Sequence, residues 1–216
     1  MLGSSRNQGE SLDIKTIQGL LDANYKPGLV NWGLERQGVH SQIRYAAVLV
    51  PLFRESGHWK ILLTRRTDHV QDHKGQVSFP GGSYEPQDDD LETTALRETY
   101  EEIGVLPKDI HILGRLNSLY TITGYLIAPF VGVIDWPTVL VPSPEEVSRI
   151  FSVPLEWLSD PTHHEERPFR DQDGKVIRDS VIFFQPFDGE ILWGVSARIM
   201  VTLLQVLRLN NNSGKN

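Results

Sequence analysis

Glu101 and Glu102 stand three and four residues after Glu98. On a helix that turns by ~100° per residue, all three carboxylates fall on one side. Like charges at this spacing repel by about 0.2–0.5 kcal/mol per pair, so a helix face chosen for stability alone would carry a Lys among them. None stands there. Carboxylate oxygens are the donors preferred by hard divalent cations such as Mg²⁺ and Mn²⁺, which keep coordination sites for water and for substrate phosphates. Just upstream, Phe79-Pro80-Gly81-Gly82 brings two glycines to a sharp turn. Without Cβ atoms, backbone carbonyls and amides there can approach a metal or a phosphate closely. Residue types and spacing together suit divalent-cation chemistry on a phosphate-bearing substrate.

The elements that must hold these groups follow from periodicity. Residues 91–103 form the strongest predicted helix, stopped by Gly104 and Pro107, with Leu96, Tyr100 and Ile103 on its packing stripe and the three glutamates opposite. Residues 12–24 carry apolar positions at helical spacing, and 197–209 form an amphipathic closing helix. Apolar runs at 44–53 and 58–64, separated by Glu55-Ser56-Gly57, predict a hairpin. Further strands are expected at 76–79, 110–119, 125–135 and 176–184, the last opened by the turn Asp173-Gly174. A short helical stretch is expected at 145–150, and another segment at 153–158 begins around Pro154. Strands on both sides of a central helix, with a terminal helix, imply helices packed on a mixed sheet. We expect one domain over residues 12–209, with polar tails at 1–11 and 210–216.

Composition removes whole classes of function. The 216 residues contain no Cys, which excludes disulfides, thiolate nucleophiles and iron–sulfur clusters, so a metal must bind through oxygen or imidazole. The net charge is −7, and residues 85–102, with eight acids and one base, Arg97, carry all of it. An acidic balance argues against nucleic acid as the partner. The longest apolar run, 46–53, contains Pro51 and falls far short of the ~20 residues that span a bilayer. With a polar start and no membrane segment, the expected location is cytoplasmic. His163-His164-Glu165-Glu166 lacks a second His one turn on, and Pro168 interrupts any helix, so it reads as a solvated loop. Asp171-Gln172-Asp173-Gly174 reads as a turn and not a calcium loop. Trp136, Trp157 and Trp193 read as core, and no phosphate-binding Gly-Lys-Ser/Thr loop occurs.

The segment 82–105 resembles the Nudix box. Gly82 opens it, Arg97-Glu98 and Glu101-Glu102 form its centre, and Gly104-Val105 close it. Two departures stand out: six residues, not five, separate Gly82 from the acidic position, and that position holds Asp89 where the box has Glu. The resemblance implies an α/β/α sandwich with the catalytic helix packed on a mixed sheet. It implies hydrolysis of a nucleoside diphosphate linked to another moiety, with two or three Mg²⁺ or Mn²⁺ ions held by Glu98, Glu101, Glu102 and the Gly82 carbonyl. Glu98 and Glu102 are the first-choice ligands, Glu101 is ligand or base, and Arg97 holds the carboxylates in place. Glu145 or Glu146, in a later loop, is the alternative general base.

Upstream, Leu62-Leu63-Thr64-Arg65-Arg66, Gly75 and Phe79-Pro80-Gly81-Gly82 resemble the signature of the coenzyme A pyrophosphatase branch, with every spacing kept. Thr67 replaces a Ser or Ala of that signature and Gln71 replaces its second Arg. The branch resemblance implies coenzyme A as substrate, with Arg66, Gly81 and Gly82 as substrate contacts. Arg65, His69, His73 and Lys74 are further cationic candidates for its extra phosphate. Gln71 favours a different nucleotide, such as NADH, ADP-ribose or an oxidised nucleoside triphosphate. A non-catalytic nucleotide-binding module is the third reading, against which the undamaged carboxylate set speaks. A homodimer is compatible with the sequence.

Overall fold

The computed structural model describes residues 12–30, 43–68, 75–121, 123–170 and 173–209. Helix α1 (Ile14–Asn24) starts where the Asp13 carboxylate accepts from the Thr16 N–H at 2.7 Å, and it buries Ile17 and Leu21. A two-residue strand β1 (Leu29–Val30) follows. The predicted hairpin forms as β2 (Arg44–Glu55) and β3 (His58–Arg66) around Ser56 and Gly57. Both turn residues have positive φ, 52° and 84°, a geometry that matches the twist of paired strands.

β2 and β3 pair only from Leu52↔Ile61 to Glu55↔His58, and then they part. Beyond that fork the two edges they vacate are filled by short strands on either side of Phe79-Pro80. Strand β4 (Val77–Ser78) pairs with β3, and β5 (Gly81–Ser83) pairs with β2 through Ala46↔Ser83, Ala47↔Gly82 and Val48↔Gly81. The glycine turn is thereby stitched into the sheet; Leu49 N–H donates to the Pro80 carbonyl at 2.9 Å. Two glycines carry little strand signal, which is why β5 escapes sequence reading.

Helix α2 (Leu91–Ile103) coincides with its predicted span. After a 3₁₀ turn at Pro107–Asp109 come β6 (Ile110–Arg115), β7 (Ser118–Tyr120) and β8 (Tyr125–Ile134). The expected single strand 110–119 is thus broken at Leu116 and Asn117, where the Asn117 side chain accepts from Lys26 N–H at 2.7 Å. β8 runs parallel to β2 from Arg44↔Tyr125 to Leu52↔Val133, whereas β6 and β7 join β8 antiparallel, so the nine-stranded sheet is mixed.

Residues 145–150 are not helical, contrary to expectation. They form a turn at 144–146 and the start of β9 (Val147–Pro154), because the outer edge of β3 takes a full antiparallel partner from Lys60↔Pro154 to Arg66↔Val147. Strand pairing here overrides a weak local helical preference. Helix α3 (Leu155–Ser159) and a 3₁₀ turn at Pro161–His163 lead to β10 (His164–Arg170). Residues 163–166 are therefore not a loop: His163 ends the 3₁₀ turn, and 164–166 lie in β10, which pairs with β11 (Val176–Phe184) as a separate two-stranded sheet. Helix α4 (Gly194–Val206) closes the fold.

Apolar side chains collect on both faces of the sheet. Ile17, Leu21, Leu203 and Leu204 of α1 and α4 meet Val50, Leu52, Ile61 and Leu63 on one face. On the other, Ala95 and Ile103 of α2 meet Ala47, Leu49, Phe53 and Ala128. This is the α/β/α layering expected from the sequence, with α2 alone on its side of the fork.

Candidate active site

α2 is fixed at both ends by its own residues. The Asp90 carboxylate accepts from Thr93 N–H at 2.8 Å, and Gly104, at φ 76°, ends the helix with its N–H on the Tyr100 carbonyl. The buried face consists of Thr94, Ala95, Thr99, Glu102 and Ile103, while Tyr100 is half exposed. The packing stripe is thus rotated from the expected one. It takes in Glu102 and leaves out Tyr100.

The two glycines have separate reasons to be glycine. Gly81 has φ +155°, and a Cβ there would lie 2.4 Å from the Ala47 carbonyl oxygen and 2.6 Å from Val48 Cα. A Cβ on Gly82 would instead lie 2.4 Å from Glu98 Oε1. The bare Gly82 backbone is what lets the Glu98 carboxylate rest against the turn.

Arg97 ties the constellation together. Its Nε and Nη2 bind the two Asp88 oxygens at 2.8 and 3.0 Å, Nη2 also donates to the Ser83 carbonyl at 3.1 Å, and Nη1 reaches Glu98 Oε1 and Glu101 Oε2, both at 3.0 Å. A planar fork of donors suits this fourfold engagement, where a Lys ammonium would not. The acid on Arg97 is buried Asp88, whereas Asp89 is exposed. The box alignment assigns the acidic position to Asp89. Gly82 and Asp88 are separated by five residues, a spacing in the sequence that could have identified it. The Arg97 guanidinium holds the Asp88 carboxyl far below the usual carboxylate range.

The other carboxylates shift the opposite way. Burial pushes Glu98 up, against the pull of Arg97. Burial pushes Glu102 up to about 8, opposed by Arg66 and reinforced by the charges of Glu146 and Glu98. Arg66 Nη1 stands 3.8 Å from Glu102 Oε1, and both Arg66 Nε and Glu102 Oε2 are buried without a hydrogen-bond partner. Successive residues of a strand face opposite ways, so Arg65 turns from the site towards Glu190, 3.5 Å away. His69, Gln71, His73 and Lys74 lie outside the described residues.

The structure brings Gly81, Gly82, Arg66, Arg97, Glu98 and Glu102 to the fork, and the backbone of Glu146 is bonded to Thr67, the residue after Arg66. Glu101 sits at its rim on Arg97, and Glu145 is exposed. Among the described residues no three acidic or imidazole side chains converge into a ready-made ion cage, since Glu98 and Glu101 both lean on Arg97. The donor set nevertheless fits a hard divalent cation. It is all oxygen, it includes an orphaned buried oxygen on Glu102, and a Cβ on Gly82 would obstruct its cradle. Glu98, Glu102, Glu101 and the Gly82 carbonyl are the groups available to hold one.

A mixed sheet carrying a carboxylate helix against a glycine turn is an arrangement suited to binding phosphate groups through a divalent metal. A profile of the NUDIX domain matches residues 43–179, and the chain belongs to the Nudix hydrolase family. The Nudix hydrolase NudL of Yersinia pestis (strain Pestoides F), described as uncharacterized, is 37% identical over 163 residues, covering 75% of this chain and 79% of the relative. NudL of Yersinia pseudotuberculosis serotype O:1b (strain IP 31758) matches to the same extent. The crystal structure of a MutT/nudix family protein from Enterococcus faecalis shares the fold at TM-score 0.52 and 18% identity, over 80% of this chain and 70% of that one. Nudix hydrolases act on small nucleotide substrates and use divalent ions such as Mg²⁺. Among the described residues no helix is long and apolar enough to cross a membrane.

Proposed function

We propose that this Nudix hydrolase cleaves the diphosphate of coenzyme A, giving 4′-phosphopantetheine and adenosine 3′,5′-bisphosphate. The observation that carries the reading is the stretch 62–82, which keeps every spacing of the coenzyme A pyrophosphatase signature. Two of its residues, Arg66 and Gly82, meet α2 at Glu102 and Glu98.

A divalent ion such as Mg²⁺ or Mn²⁺, when bound, would supply polarisation of the diphosphate and a more nucleophilic water. Glu98 and Glu102 would hold the ion, with Glu101 and the Gly82 carbonyl as further donors. Arg97 keeps Glu98 in register against Gly82. Arg66 binds a phosphate oxygen of the substrate and offsets the buried charge of Glu102. Glu146 takes the proton of the attacking water, whose oxygen joins one phosphorus as the anhydride P–O bond breaks and the other phosphate leaves.

Gln71, where the signature has Arg, favours a second reading in which NADH, ADP-ribose or an oxidised nucleoside triphosphate is the substrate. Mass spectrometry of products formed with Mg²⁺ or Mn²⁺ from coenzyme A and from each of these nucleotides separates the two. The expected result is 4′-phosphopantetheine formed fastest and no product from Glu102→Gln. Faster cleavage of another nucleotide would overturn the coenzyme A assignment while leaving the carboxylate site in place.

A further inference from the structure

Thr67 is one of few buried polar residues, 5% exposed, and it follows directly on Arg66 at the end of β3. Its N–H donates to the Glu146 carbonyl at 2.9 Å, and its hydroxyl donates to the Glu145 carbonyl at 2.9 Å. From the other side, Ser143 N–H donates to the Glu102 carbonyl at the end of α2, at 2.9 Å. The Ser143 carbonyl in turn accepts from Glu146 N–H at 3.1 Å and Val147 N–H at 2.8 Å.

These bonds have one common effect. The peptide unit before Glu146 is held at its carbonyl by the Thr67 hydroxyl and at its N–H by Ser143. The unit after Glu146 is held at its carbonyl by the Thr67 N–H and at its N–H by Ser143. All four polar groups that set the Glu146 backbone angles are therefore engaged, two of them by Thr67. The β3–β9 ladder ends at Arg66↔Val147, so the amide bond continues that ladder by one step, and the hydroxyl reaches one residue further than backbone pairing can. Fixed φ and ψ limit the directions a side chain can take. The turn that carries Glu146 is itself bonded to α2 where Glu102 stands, through the Ser143 N–H on the Glu102 carbonyl, and the Glu146 charge raises both Glu98 and Glu102.

We infer that Thr67 is a positioning residue that aims Glu146 at the carboxylates of α2, an inference that rests on the proposed role of Glu146 as the base. Thr67 also links Arg66 to this turn, so the phosphate-binding strand end and the base move as one piece. A group that must meet an attacking water gains from such prior fixing, since a displacement of about 1 Å can cost about 100-fold in rate. An alanine at this position, which the branch signature admits, would keep the amide bond and lose the hydroxyl.

The test is a double-mutant cycle on the full chain with Mg²⁺ and the nucleotide it cuts fastest. Thr67→Val keeps the branched shape and removes the hydroxyl; Thr67→Ala serves the same purpose if the valine methyl strains the fold, as a thermal melt would reveal. The expected result is a fall of about 10-fold in kcat, with KM within about twofold, and recovery of most of it by Thr67→Ser. In a Glu146→Gln background, Thr67→Val should produce no further loss. The same loss in both backgrounds, native turnover in Thr67→Val, or no recovery by Ser would overturn the inference while leaving Glu146 as base. Native turnover in Glu146→Gln would instead remove the role of Glu146 itself, and the inference with it.

Discussion

Alanine at Gly82 and alanine at Gly81 should fail in different ways, although the residues are adjacent. At Gly82 the new Cβ meets only the tip of a side chain, at 2.4–2.6 Å from the three atoms of the Glu98 carboxylate group. Ordinary contact begins at 3.4 Å, so Glu98 must withdraw by about 1 Å, a displacement that costs up to about 100-fold in turnover when it moves a catalytic group. Holding Glu98 off its preferred rotamer costs about 0.5–1.5 kcal/mol. At ~2–4 °C per kcal/mol for a chain of this size, Gly82→Ala should melt within about 5 °C of the native protein. At Gly81 the Cβ meets backbone of β2 in a conformation with φ +155°. Overpacking of about 1–3 kcal/mol and backbone strain of about 1–3 kcal/mol add to a drop of roughly 5–20 °C. Thermal melts with and without Mg²⁺, alongside turnover, provide the assay. Turnover of Gly82→Ala within twofold of native, or a melt as low as that of Gly81→Ala, would refute the assignment of Gly82 to the Glu98 cradle.

Glu102 should make the metal-free protein sensitive to pH. Its carboxyl, raised from 4.5 to about 8 by burial, stays protonated in the fold where the unfolded chain ionises. The stability this supplies is fully present below about pH 4.5 and is lost as pH rises through about 8. Calorimetry in chelator should show this decline flattened in Glu102→Gln; parallel curves for the two proteins would count against it. Mg²⁺ added near neutral pH should release protons from the native protein and fewer from Glu102→Gln, because an ion binds the ionised carboxylate. Asp88→Asn breaks the two-point bond to Arg97; losing one partner of a buried pair costs about 3–5 kcal/mol, reduced here because Arg97 keeps Glu98, Glu101 and Ser83. A melting decrease in Asp88→Asn and none in Asp89→Asn is expected, and equal effects would return the role to Asp89.

Much of the site is legible without tertiary information. The limits of α2 follow from its own cap residues, Asp90 and Gly104, and the β2–β3 hairpin from Ser56-Gly57; each is a contact between residues a few positions apart. The carboxylate set and the glycine turn are likewise local patterns, and so is the membership of Arg66 in a signature. Local patterns end where strand pairing begins. The choice of Asp88 over Asp89 depends on where Arg97 points after the turn of β5 is sewn to β2. The helix expected at 145–150 gave way to β9 because the free edge of β3 demanded a partner from a distant part of the chain.

The sequence by itself therefore determines which chemistry this protein can attempt: carboxylate oxygens at helical spacing beside a glycine turn, with no thiolate ligand anywhere. Only the tertiary structure decides how those groups differ. Glu98, Glu101 and Glu102 are equivalent letters, yet one rests on Gly82, one leans out on Arg97 and one is buried against Arg66. Burial sets how readily Glu98 and Glu102 ionise, and burial is not a property of a residue or its near neighbours. The backbone of Glu146 mixes the two kinds of contact, held by Ser143 three residues before it and by Thr67 from a distant part of the chain.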